Sequence, residues 1–94
     1  MAAARPTITA DEDRVRITTW EFADGEATGH HVHEFDYVVV PVTGGTFEVV
    51  APDGASRTLA QEAGVAYIGT AGTEHDVVNR SGRVASFVEI ELKR

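Results

Sequence analysis

Apolar and polar positions in this chain alternate in short runs, and no segment keeps an apolar stripe at the 3.6-residue period of a helix. The runs are rich in valine, isoleucine, threonine and aromatic residues and are separated by turn signals, so the pattern predicts an all-β fold. Strands are expected at "RVRITTWEF" (Arg14–Phe22), "HHVHEFDYVVVPV" (His30–Val42), "TFEVVA" (Thr46–Ala51), "SRTLA" (Ser56–Ala60), "VAYI" (Val65–Ile68), "EHDVVN" (Glu74–Asn79) and "VASFVEIEL" (Val84–Leu92). Asp24-Gly25, Gly44-Gly45 and "RSG" punctuate them, and Pro41 marks a bend or strand end. Pro52-Asp53-Gly54 is a hairpin turn with a mechanism, because proline presets φ and glycine accepts a positive one. About seven strands at a spacing of roughly 8–12 residues fit a small antiparallel sandwich or barrel.

The first residues, 1–12, read as a flexible N-terminal arm ahead of a single domain over 13–94. The strand-like "PTIT" within the arm leaves open a role as an edge strand on a neighbouring subunit. At 94 residues the chain is near the small end of what buries a self-sufficient core. The formal net charge of −7 argues against nucleic acid and against anionic membrane surfaces as partners. No apolar run approaches the ~18 residues of a membrane span, and the start lacks a signal-peptide core, so a soluble, cytoplasmic protein is expected. The absence of cysteine removes disulfides, thiolate metal clusters and a cysteine nucleophile. Any metal must then be held by imidazole and oxygen.

The stretch "GHHVHEFDY" (Gly29–Tyr37) holds three of the four histidines. Alternate side chains of a strand share a face, so His31 and His33 project the same way, roughly 7 Å apart along the chain. That spacing lets two imidazoles converge on one cation. Phe35, Tyr37 and Val39 fall on the same face, whereas His30, Glu34 and Asp36 face the other way. Two readings stand side by side at this point: a metal pair, or hydrogen-bonded histidines of core or surface. His75, far along the chain, carries no ligand signal by itself.

The spacing of glycines and asparagine around these histidines resembles the cupin superfamily. Gly25, His31, His33 and Gly44 match the first cupin motif, G-x5-H-x-H-x3-E-x6-G, at every fixed position except the glutamate, where Tyr37 stands. Gly64, Gly72, His75 and Asn79 match the second, G-x5-P-x-G-x2-H-x3-N, with Thr70 in place of the usual proline. The chain is identified as a small single-domain cupin, and "YVVVPVTGG" with "VEIELK" is similar to small cupins described as β-alanine degradation proteins. The resemblance implies a jelly-roll β-barrel of about seven or eight strands in which His31, His33 and His75 coordinate one divalent metal ion. Iron, nickel, zinc, manganese and copper all accept imidazole, so ligand type does not choose among them.

The family's fourth ligand is the motif glutamate, here Tyr37. Asp36, one residue earlier, lies on the opposite face of the strand and cannot replace it without a bulge. Three neutral imidazoles leave the ion's charge uncompensated and positions open for an anionic ligand. Tyr37 has two readings, a hydroxyl donor to metal-bound water or substrate, or a barrel filler. Trp20 and Phe22 could line a pocket, pack a subunit interface or fill the core, core packing being the simplest. Asn79 reads as structural, the motif glycines as turn residues, and Glu89 and Glu91 as the solvated face of the last strand, which leaves no second inward carboxylate.

The expected function is that of a metal-binding cupin acting on a small carboxylate or oxygen-rich metabolite by dioxygenase, isomerase or lyase chemistry. The alternative is a non-catalytic module that binds a metabolite or metal. Uncovered sheet edges and large residues such as Trp20 predict a homodimer.

Overall fold

The fold follows from strands that each carry an apolar face, which must be buried against another sheet. A computed structural model describes residues 2–94. It contains β1 (Arg5–Asp11), β2 (Val15–Phe22), β3 (His31–Val32), β4 (Asp36–Pro41), β5 (Gly45–Val50), β6 (Ser56–Gln61), β7 (Tyr67–Gly69), β8 (Glu74–Asn79) and β9 (Ala85–Leu92). One sheet runs β1-β2-β9-β4-β7 and the other β3-β8-β5-β6, with all strand pairs antiparallel. The chain crosses repeatedly between the sheets, as in a jelly roll. The all-β barrel read from the sequence is the observed fold, with nine strands instead of about seven.

Two differences account for the extra strands. Arg5–Asp11, expected within a flexible arm, pairs with β2 of the same chain, with a register shift between Ile8 and Ala10. This edge strand is exposed along most of its length, so it lacks the apolar alternation that marks a half-buried strand. The long strand expected over His30–Val42 is broken into β3 and β4. β3 pairs with β8 in one sheet and β4 with β9 and β7 in the other, so the chain turns a corner between His33 and Asp36. Burial keeps its two-residue period through that corner, with His33, Tyr37 and Val39 all inside, and so the sequence reads as continuous.

The core is centred on Phe22, Phe47 and Phe87, whose ring centroids lie 5.3, 5.4 and 5.7 Å apart pairwise. Such tilted and edge-on aromatic contacts add to the burial of the rings themselves. Trp20, partly buried, packs against this core with its ring 6.2 Å from that of Phe22. Fully buried Asn79 ties down the last hairpin: its amide donates to the carbonyls of Ala23 and Arg83 at 3.2 and 2.7 Å, and its carbonyl accepts from the Ser81 amide at 3.0 Å. Its role is the structural one expected. The inward faces continue past the phenylalanines through Tyr37, Val39, Val49 and Glu89 toward the histidine end of the barrel.

Candidate metal centre

The register of β3 on β8 sets His31 directly opposite His75, and His33 follows two residues later on the same face. Their side chains meet inside the barrel mouth. The Nε2 atom of His33 lies 3.1 Å from that of His31 and 3.2 Å from that of His75, and one nitrogen from each of the three falls within 4.8 Å of the others. Two donors each about 2.1 Å from one ion would stand about 3.0 Å apart at a right-angled bond and about 3.4 Å apart at a tetrahedral one. The two separations from His33 lie between these, and the three-histidine group could hold a metal ion.

Local contacts prepare the rings for that task. His31 Nδ1 donates to the carbonyl of Gly29 at 2.8 Å, which leaves its Nε2 as the lone-pair nitrogen. Gly29 presents that carbonyl from a backbone φ of 87°, a conformation that glycine adopts without strain. Burial, with the neighbouring His31 and His75, lowers the pKa of His33 to about 4. Burial, with His31 and Arg57, lowers that of His75 to about 4. Both are therefore neutral at physiological pH, the form that ligates. His30 points away, its Nε2 2.6 Å from Glu74 on the exposed surface, as strand parity requires.

Tyr37 occupies the glutamate position as a layer in a stack. Its ring lies 3.8 Å from that of His33 with only 16° between the planes. Its other side covers Gly69, the residue opposite it on β7. A methyl group at Gly69 would fall 2.0 Å from Tyr37 Cζ and 2.4 Å from its phenol oxygen, so only glycine admits the ring. Burial and then the charge of Glu89 push the phenol pKa up, which keeps the hydroxyl neutral. Asp36 faces outward and accepts a hydrogen bond from the Ala71 amide at 2.8 Å, far from any ligand role.

The last strand departs from expectation. Glu89 is not on a solvated face: it is 9% exposed and lines the same cavity as the histidines. The alternation Ala85, Phe87, Glu89 carries the signal, because a residue two beyond a core phenylalanine shares its face. The alternating glutamates of "VEIEL" conceal it by reading as an outward stripe. Burial and then the adjacent Glu91 raise the Glu89 pKa to about 7. Glu91 itself is held by Arg16 at 2.9 Å. The site thus contains an inward carboxylate after all.

The sign of its effect on stability is definite. Between the ordinary value of 4.5 and about 7 the folded protein keeps a proton on Glu89 that the unfolded chain has lost. Stability from this group is therefore present below 4.5 and is lost as pH rises to about 7. Glu89→Gln removes the titration while keeping the shape. In metal-free protein it should leave the melting temperature nearly unchanged near pH 4.5 and raise it by roughly 15 °C at pH 8. Thermal melts of both proteins at the two pH values check this, and parallel pH profiles would contradict it.

The cavity that these residues line has a volume of about 500 Å³, the size of a small-molecule site. Val39, Val77 and Phe87 form its apolar floor, with Thr73 and Arg57 on the wall.

No protein-family model matches the chain. The β-alanine degradation protein BauB of Pseudomonas aeruginosa is 47% identical to it over 90 residues, covering 96% of this chain and 94% of that protein. The crystal structure of a cupin domain from Bordetella pertussis Tohama I superposes with a TM-score of 0.94 at 44% identity, covering 99% of this chain and 96% of that one. The polyketide cyclase RemF of Streptomyces resistomycificus shares the fold alone, with a TM-score of 0.71 at 22% identity over 99% of this chain and 69% of that one.

Proposed function

The chain belongs to the cupins, in the group of small cupins that includes BauB, and from that premise we propose a metal-dependent site acting on a small carboxylate or oxygen-rich metabolite. The observation that carries this reading is the convergence of three imidazole nitrogens in a cavity of about 500 Å³ that also holds an inward carboxylate. His31, His33 and His75 would hold one divalent ion, which would supply Lewis acidity and open positions for an anionic ligand. His31 enters with its tautomer set by Gly29, and His33 with its ring held against Tyr37. Tyr37 presents a neutral hydroxyl to the cavity and is assigned to ligand contact. Glu89, with a pKa near 7, takes or returns a proton at its carboxylate oxygen, which suits general acid–base work at physiological pH. Dioxygenase, isomerase and lyase chemistry are all compatible with such a set, the last two gaining from Glu89.

Metal analysis of protein purified without a histidine tag, followed by oxygen uptake on a panel of small carboxylates, tests the proposal. Oxygen consumption with one of them supports oxygenation. Tight binding without any turnover supports instead a non-catalytic binding module.

A homodimer is part of the same proposal, on a different surface from the one suggested by Trp20. The outer face of the five-stranded sheet carries Ile68, Val38, Ile90 and Ile17 in one cross-strand row, with Val40 and Val88 in the next. An outer face of an antiparallel sandwich is ordinarily polar, and Ile68 here is 75% exposed. A second copy of the chain covers these rows sheet against sheet. Sedimentation should show a dimer at micromolar concentration, and Ile90→Lys, which sets a charge among the rows, should shift it to monomer. A monomeric parent would refute the assignment.

A further inference from the structure

The barrel has an inward charge that the metal centre does not use. On β6, Leu59 and Arg57 lie opposite Phe47 and Val49 of β5, both inward residues, so strand parity aims Arg57 into the barrel mouth. Its neighbours Ser56 and Thr58 take the outer face. Arg57 lines the histidine cavity and also a smaller adjoining concavity of about 250 Å³, and so stands at their junction. Its positive charge acts on three groups of the cavity wall, His75, Tyr37 and Tyr67.

What sets this guanidinium apart is that it lines the cavity without an ion-pair partner. The chain has 15 acidic side chains against 8 lysines and arginines, and Arg5, Arg16, Arg80 and Arg94 each hold a carboxylate. Among the described residues Arg14, Arg57 and Arg83 make no ion pair, and of these three only Arg57, exposed at the barrel mouth, lines the histidine cavity. Glu89, the other inward charge, has Glu91 as its charged neighbour. A planar fork of donors left free on a cavity wall is matched by a carboxylate, which it binds with two parallel hydrogen bonds.

We propose that Arg57 is the carboxylate anchor of this cavity, so that the site takes a small two-headed molecule, with a carboxylate on Arg57 and an oxygen donor toward the three histidines. The second half rests on the metal reading above; the first does not. An anchor at the mouth and a metal-binding end at the histidines would orient the middle of the molecule between them. In an acidic protein, this positive charge at the cavity mouth also favours anions over neutral analogues.

The probes are malonate, succinate and glutarate as two-headed ligands and acetate as a one-headed one, titrated into cobalt(II)-loaded protein by calorimetry. At least one dicarboxylate should bind about tenfold or more tightly than acetate. Arg57→Gln should weaken that dicarboxylate by about ten- to hundredfold, the range of a charge-assisted pair, while sparing acetate and cobalt binding. Arg14→Gln, which makes the same change in net charge on the surface, should have no such effect. Equal dicarboxylate affinity in the parent and Arg57→Gln overturns the proposal, as does equal weakening by Arg14→Gln. Failure of both proteins to take up cobalt would defeat the metal reading alone. The same titrations on metal-free protein then decide, with a loss confined to Arg57→Gln supporting the anchor and no difference overturning it.

Discussion

Replacing His33 by alanine should lower the affinity for a divalent ion by more than about 100-fold, because even the outer partners of a metal ligand are worth about 10–100-fold. His33 is the middle nitrogen of the group, 3.1 Å from His31 and 3.2 Å from His75, so its loss leaves two donors that no third side chain bridges. His30→Ala provides the contrast. His30 is one residue from a ligand in sequence, but its ring pairs with Glu74 at 2.6 Å on the outer surface. Its removal should change metal affinity by less than about twofold, since two exposed charges contribute little to the interior. Competition titrations against a chromophoric chelator would measure both. Equal losses from the two variants would mean that the three nitrogens do not act as one site.

Gly69→Ala should be nearly as damaging, although residue 69 carries no functional group. The added methyl would stand 2.0 Å from Tyr37 Cζ, closer than any real contact, so the phenol ring must move. The ring has little freedom, for His33 is stacked on it at 3.8 Å. Overpacking of this kind costs about 1–3 kcal/mol, or about 5–20 °C in melting temperature for a domain of this size. The displaced ring would also turn His33, and metal affinity should fall about tenfold, as for loss of an outer partner of a ligand. Tyr37→Phe keeps the ring and therefore the stack, and should spare both properties. Unchanged stability and metal affinity in Gly69→Ala would show that the stack does not position His33.

The co-facial pair His31 and His33 was legible in the sequence, because the two-residue period of extended chain is a local property. So were the outward placement of His30 and Asp36, the turn at Pro52-Asp53-Gly54 and the all-β class. The third histidine is different. Nothing near residue 75 announces a ligand, and its position was expected only from the resemblance to the cupin motifs. The structure brings it opposite His31, 44 positions earlier in the chain, through the register of β3 on β8.

Period-two alternation says which residues share a face, but it does not say which face is inside. On β9 the alternating glutamates point Glu89 outward, whereas the apolar parity of Ala85 and Phe87 points it inward, and the structure follows the apolar parity. For β6 a single residue, Leu59, carries the parity of Arg57, and its partner Val49 on β5 places that face toward the barrel. Gly69 likewise carries meaning only once Tyr37 lies across it, and the corner after His33 exists only because β3 and β4 join different sheets. Alternation, turns and strand propensity are set by neighbouring residues along the backbone, and the sequence by itself determined them. Inside and outside, and the partner each residue meets, depend on how two sheets bury their apolar faces against one another, and only the tertiary structure decided those.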